Sequence, residues 1–155
     1  MLYEMLITEA ESQNVEVCEE HMGPRIRGLY GDNVIWLNQG LPTHAAKVCV
    51  LAEEMGHHYT STGNILNQKK LAHIKQEKRA RNWAYKKLIP LESFVNAFKE
   101  GITNRYEFAE FLGVTEYFLE QAIEHYKEKY GLCVEWTSYV IYFEPLGVLE
   151  IYEDY

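Results

Sequence analysis

Two glutamates and a histidine near the middle of the chain have the residue types and the spacing of a metal site. Glu53 and His57 are four residues apart, so on a helix their side chains lie on one face and could share an ion. Glu54 is displaced from that face by about 100°. The zinc motif His-Glu-x-x-His differs at its first position, where this chain has Glu53. Carboxylate oxygen is also a zinc ligand in proteins, so the difference is compatible with metal binding.

Glu54 stands where the zinc motif has its own glutamate, the carboxylate that in metallopeptidases takes a proton from water at the metal. A second interpretation is open, because Glu-Glu-x-x-His also occurs on helices that face solvent. The apolar residues at positions 45, 46 and 48–52 favour a site, since they predict a buried helix from about His44 to Tyr59, with Thr43 as its N-cap. Buried charges must be paired or must coordinate a metal, because unpaired ones are costly.

The chain before this helix predicts another helix and a small antiparallel sheet. Residues 2–12 have the apolar spacing of a short helix, and residues 15–18 are strand-like. Two more strand-like runs, 26–29 and 34–37, flank Gly31-Asp32-Asn33. That tripeptide has the composition of a hairpin turn, so the two runs are expected to pair.

A second helix is predicted after the motif helix, over about residues 69–88. It ends before Pro90, because proline disfavours a helical conformation in the residue before it. Gly63 or Asn64 is suited to the C-terminal cap of the motif helix. Glu77 is the only acidic residue of the second helix, among eight basic ones. We interpret these basic residues as a solvent-facing surface, which is commoner than a nucleic-acid site.

The C-terminal part predicts three short helices and a terminal hairpin. The helices are expected over residues 91–99, 106–112 and 116–130, and the strands over residues 134–142 and 148–152. The last two helices, with a glycine turn between them, are similar to a helix-turn-helix unit. Four glutamates on the last helix would repel phosphate, so we interpret the unit as a packing module.

Composition and charge limit the function classes. The chain has 155 residues, 47% of them hydrophobic and 25% charged, which is typical of a globular protein. Residues 1–99 carry 12 basic and 11 acidic side chains, whereas residues 100–155 carry 3 and 12, which disfavours nucleic-acid binding by the C-terminal third.

The expected location is the cytoplasm. The N-terminus lacks the pattern of a signal peptide, and no apolar run approaches the roughly 20 residues of a membrane span, so no membrane partner is expected. The three cysteines are odd in number and scattered, which indicates free thiols in a reducing compartment.

Three segments together resemble the ImmA/IrrE family of metallopeptidases. They are the motif Leu51–Tyr59, the pattern Glu77-x-x-Ala80-x-x-Trp83-Ala84 leading into Leu88-Ile89-Pro90, and Phe108–Thr115 with the helix that follows. The resemblance covers roughly residues 20–131. It implies an α+β fold with a zincin-like core, a bound zinc ion and a small helical module. It also implies an activity, the cleavage of a helix-turn-helix repressor of a phage, a mobile element or a stress response.

The resemblance also implies roles for individual residues. Glu54 would be the general base, and His57 and Glu77 would be metal ligands. Glu53 stands at the first ligand position, where the family usually has histidine, so manganese or another divalent ion is an alternative to zinc. His58 and His73 are candidate accessory residues. The expected domains are a metallopeptidase core over residues 1–99 and, over residues 100–155, the helical module with its hairpin, packed on the core.

The expected function is metal-dependent cleavage of a repressor protein, without direct contact to nucleic acid. The alternative from another class is an antirepressor, a protein with a degenerate protease site that binds the repressor without cutting it. A DNA-binding protein is the weakest interpretation, because of the acidic last helix. Metal content after purification without added metal would separate the first two. Nothing in the sequence specifies the oligomeric state.

Overall fold

The computed structural model describes residues 1–61 and 70–152, with the backbone alone for residues 70–72. Within these ranges the chain forms six helices and two three-stranded sheets, a mixed α+β fold that confirms the predicted class. The elements are α1 (Leu2–Ser12), β1 (Glu16–Glu20), β2 (Gly28–Gly31), β3 (Val34–Asn38), α2 (His44–Thr60), α3 (Lys70–Leu88), α4 (Leu91–Lys99), α5 (Arg105–Leu112), α6 (Glu116–Tyr130), β4 (Cys133–Trp136), β5 (Tyr139–Phe143) and β6 (Leu146–Glu150).

The chain divides into two compact units, residues 1–84 and 85–155, and the division falls within α3. The domain boundary expected from the sequence lies later, after residue 99, and it stays a prediction. None of the described helices is both long and apolar enough to cross a membrane.

The first sheet has the strand order β1-β3-β2. The predicted hairpin is present: β2 and β3 pair antiparallel, and Asp32 and Asn33 form the turn that connects them. Both residues have positive φ, 49° and 61°, as a two-residue hairpin turn with right-handed twist requires. The prediction of a purely antiparallel sheet is wrong, since β1 pairs with β3 in parallel, Glu16 opposite Val34. Paired parallel strands are distant in sequence, so no turn residue between them indicates that they pair.

Helix α2 is the buried helix of the first unit, as its apolar composition predicts. The hydroxyl of Thr43 accepts a hydrogen bond from the backbone N–H of Ala46 at 3.0 Å, which confirms the predicted N-cap. The helix ends at Thr60, and Ser61 is extended. The cap predicted at Gly63 or Asn64 lies outside the described residues.

The second unit has an aromatic core formed by its helices and its sheet. The ring of Phe94 lies edge-on to Phe108, Tyr126 and Phe143, with centroids 5.2–5.9 Å apart. Helices α5 and α6 meet at Gly113, whose φ of 74° lies in the left-handed region that favours glycine.

The second sheet corrects the predicted terminal hairpin, because it has three strands in the order β4-β5-β6. The run 134–142, expected as one strand, reverses at Thr137, where φ is 52°, and Trp136 then pairs with Tyr139. A threonine in an apolar run carries no turn signal, so the sequence showed one long strand where the chain forms two short ones.

Candidate functional site

Helices α2 and α3 touch through their backbones at Gly56 and Ala80. A Cβ atom on Gly56 would lie 2.3 Å from the carbonyl oxygen of Ala80, so the helices can approach this closely only at a glycine. Both residues are buried. His57 directly follows Gly56, and Glu77 precedes Ala80 by three residues, close to one helical turn. The crossing therefore brings together one residue of interest from each helix.

His57 and Glu77 form a pair across this crossing. The Nε2 atom of His57 lies 3.3 Å from Oε1 of Glu77, and their side chains are 15% and 36% exposed. The hydrogen bond from His57 holds the pKa of Glu77 below its usual value, with the nearby charge of Arg81 acting in the same direction. Burial lowers the pKa of His57, but its bond to Glu77 and the surrounding carboxylates outweigh burial and raise it.

Glu53 and Glu54 lie on α2 beside this pair, and both are half-buried. Burial raises the pKa of Glu54 to about 7, with His57 opposing the rise and the other carboxylates adding to it. A carboxyl group with a pKa near neutrality can both accept and release a proton at physiological pH. Burial also raises the pKa of Glu53, and the positive charges of Arg27 and Arg81 reduce that rise.

Strand β2 runs alongside α2 and closes the site from the side of the sheet. A Cβ atom on Gly28 would lie 2.7 Å from Cγ1 of Val50 and 3.2 Å from Cγ of Glu54, so the strand passes close to the aliphatic part of the Glu54 side chain. Two residues later, the hydroxyl of Tyr30 hydrogen-bonds Nδ1 of His58 at 2.7 Å. Two residues of a strand span about 6.6 Å and four residues of a helix about 6 Å. The spacing between Gly28 and Tyr30 therefore matches the spacing between Glu54 and His58, and both contacts can form.

Four residues of this neighbourhood were not singled out from the sequence: Arg27, Gly28, Tyr30 and Arg81. Two weak signals were available. Strand alternation puts Gly28 and Tyr30 on one face, and helical spacing puts Arg81 on the same face as Glu77. Neither signal says which element that face meets.

A family comparison is decisive for identity. The model of the Peptidase_M78 family, described as the IrrE N-terminal-like domain, matches residues 10–124. The chain belongs to this family. The resemblance to ImmA/IrrE metallopeptidases is thereby confirmed. A search of curated proteins finds no match.

Peptidase_M78 membership implies a divalent metal ion, typically zinc. His57 and Glu77 fit such an ion, since two ligands of a tetrahedral zinc at bond lengths of about 2.0–2.1 Å lie roughly 3.3 Å apart, as Nε2 and Oε1 do. In the described parts of the chain, however, no three His, Cys, Asp or Glu side chains are grouped to hold a metal. The structure thus brings together two of the three predicted ligands, His57 and Glu77, and the ligand roles of all three residues stay predictions.

The two candidate accessory histidines of this Peptidase_M78 chain lie in different surroundings. Nε2 of His73 is 4.0 Å from Oε1 of Glu77, and its side chain is 57% exposed, at the outer side of the pair. His58 is engaged by Tyr30 and lies one turn after Glu54 on the same helix face. All six predicted site residues fall inside the matched range, whereas β4, β5 and β6 lie beyond it.

Proposed function

We propose that this chain is a metal-dependent peptidase that cleaves a helix-turn-helix repressor of a phage or mobile element. The observation that carries the proposal is the 3.3 Å pair of His57 and Glu77, which joins two helices beside the half-buried side chain of Glu54. Membership of a metallopeptidase family supports the reaction class. The resemblance to ImmA/IrrE proteins supports a repressor as the substrate.

In this proposal His57 and Glu77 hold the divalent ion, with Glu53 as the third ligand. The ion, when bound, supplies Lewis acidity that polarises a carbonyl group and makes water easier to deprotonate. Two carboxylates and one imidazole give the site more negative charge than two histidines and one carboxylate would. This lowers the acidity of the ion and favours harder ions such as manganese over zinc.

Glu54 is the proposed general base of peptide-bond hydrolysis. Its carboxylate takes a proton from the attacking water, whose oxygen forms a bond to the scissile carbonyl carbon. When the bond from that carbon to nitrogen breaks, the carboxyl group delivers the proton to the leaving amine. Without an ion the pKa of this group is about 7, and a divalent cation beside it would lower that value and so favour the ionised form that accepts the proton.

Cleavage of the repressor by the wild type and by Glu54→Gln tests this function. Glutamine keeps the shape of the side chain but cannot accept the proton, and general base catalysis contributes roughly 10²–10⁴-fold to a rate. We expect Glu54→Gln to leave the repressor intact. If both proteins inactivate the repressor while it stays full length, the antirepressor alternative holds and the peptidase proposal fails.

Elemental analysis tests the ligands separately from activity. We expect His57→Ala and Glu77→Ala to lose most of the bound metal. His44→Ala is the matched control, because the same change is made at an exposed histidine of the same helix, 13 residues and about 20 Å before His57. Unchanged metal content in both His57→Ala and Glu77→Ala would exclude this site. Glu53→His, which restores the usual motif, is expected to raise zinc affinity.

A further inference from the structure

The loop before β2, residues 21–27, forms one wall of a cavity of about 460 Å³ in the first unit. Apolar side chains form most of its lining, with Met22, Ile26, Leu41 and Pro42 among them. Arg27 and the exposed His21 also border it. The cavity is large enough for an amino-acid side chain and is open to solvent at residues such as Ile26, which is 39% exposed.

Asn38 builds this wall and has no hydrogen-bonding capacity left for a ligand. Its side chain is buried, and Nδ2 donates to the backbone oxygens of Ile26 at 2.7 Å, Gly23 at 3.1 Å and Met22 at 3.3 Å. Its Oδ1 accepts from the backbone N–H of Gly40 at 2.9 Å and of Met22 at 3.3 Å. The amide therefore fixes the loop from within and leaves no free donor or acceptor of its own for the cavity.

Arg27 and Gly28 connect the cavity to the glutamates of the candidate site. Arg27 borders the cavity, and the following residue, Gly28, is the one that passes over Cγ of Glu54. The guanidinium charge of Arg27 also acts on Glu53. The cavity border at Arg27 is thus one residue, about 3.8 Å along the backbone, from the position that approaches Glu54.

We propose that this cavity binds a large apolar side chain of the peptide substrate, such as leucine, methionine or phenylalanine, next to the scissile bond. The proposal rests on the proposed peptidase function. An apolar side chain gains free energy by leaving water for this lining. An amide side chain would lie against Met22, Ile26 and Leu41 without a partner from the buried wall, since Asn38 is fully used.

Peptide binding to the Glu54→Gln protein tests this, because that variant does not turn the peptide over. The probes are fluorescent peptides Gly-Ser-Ala-X-Ala-Ser-Gly in which X is leucine, methionine, phenylalanine, alanine or asparagine, and the readout is fluorescence anisotropy. We expect the first three to bind about tenfold more tightly than the last two. Ile26→Asp, added to Glu54→Gln, should abolish this preference.

Leu29→Asp is the matched control. Leu29 is 49% exposed and alternates with Gly28 and Tyr30, so it points away from α2 and does not line the cavity. The preference should survive Leu29→Asp and should be lost again in Leu41→Asp, with urea unfolding used to check that each variant is folded.

Two results would overturn the proposal: equal binding of all five peptides, or a preference that survives both Ile26→Asp and Leu41→Asp. Cleavage of the repressor by the wild type is measured in parallel. Cleavage without any side-chain preference would refute the cavity and leave the peptidase proposal standing. A preference that depends on Ile26, without cleavage of any substrate, would refute the peptidase and leave the binding cavity.

Discussion

Gly56→Ala tests the helix crossing on which the site depends. The new Cβ atom would lie 2.3 Å from the carbonyl oxygen of Ala80. Carbon–oxygen contacts are comfortable at roughly 3.3 Å, so α2 and α3 must separate by about 1 Å at this point. Overpacking of this kind costs roughly 1–3 kcal/mol, and the backbone oxygen of a buried helix yields little, which favours the upper end.

The helix propensity of alanine opposes this cost. Alanine is better than glycine within a helix by about 1 kcal/mol, so we expect Gly56→Ala to lower the free energy of unfolding by about 2 kcal/mol in total. The same separation would lengthen the contact of His57 with Glu77 from its present 3.3 Å. The pKa of His57, which that contact raises, should then fall.

Urea unfolding measures the first effect and an NMR titration of His57 the second. Gly23→Ala is the control, because a Cβ atom there would meet nothing within 4 Å. It should change the free energy of unfolding by less than about 0.5 kcal/mol. If Gly56→Ala is as stable as Gly23→Ala and the titration of His57 is unchanged, the close crossing is not a feature of the protein in solution.

Three further predictions concern individual side chains. In metal-free protein the pKa of Glu54 is raised from 4.5 to about 7, so the folded state binds more protons than the unfolded state between these values and loses stability as pH rises through them. Glu54→Gln removes this loss. The free energy of unfolding of the variant minus that of the wild type, measured by urea unfolding, should therefore increase by about 3 kcal/mol between pH ~4 and pH ~8. The same difference at both pH values would contradict this. Asn38→Ala leaves the buried loop groups unpaired and should cost about 2 kcal/mol in the same assay, whereas a cost below about 0.5 kcal/mol would mean that water replaces the amide. Tyr30→Phe removes the hydroxyl bonded to His58 and should cost about 1 kcal/mol with a shifted Nδ1 resonance, and an unmoved resonance would show that the bond is absent.

Local signals predicted much of this fold. Thr43 caps α2 as its sequence context indicates, and the turn at Asp32 and Asn33 joins β2 to β3. Gly113 ends α5 in the left-handed conformation, and Thr115 caps α6 through the N–H of Phe118 at 3.1 Å. Each of these features depends on residues within one turn of one another, which is why a single sequence reveals them.

Long-range pairing was beyond the same reasoning. The parallel partner of β1 is β3, and the intervening β2 pairs with the other side of β3. Thr137 reverses the chain without glycine, proline, asparagine or aspartate. In both cases the outcome depends on which surfaces pack together, and composition along the chain does not determine that.

The candidate site also combines features that local sequence signals predict with long-range contacts that they do not predict. The helical period places Glu53 and His57 on one face, and the family resemblance adds Glu77 from the next helix. The approach of Gly28 to Glu54 and the bond of Tyr30 to His58 depend on how a strand lies against a helix. These contacts join residues more than 20 positions apart, so no motif carries them.

The pair of His57 and Glu77 has a consequence for the abundance of the protein in a cell. An ion held by both side chains would tie α2 to α3, so its binding free energy would add to the free energy of folding. At an ion concentration about 100 times the dissociation constant the gain is about 2.7 kcal/mol. Differences of this size change the steady-state abundance of a marginally stable protein several-fold, because proteases remove its unfolded form. The supply of metal would therefore regulate how much of this protein is present, independently of how fast each molecule works.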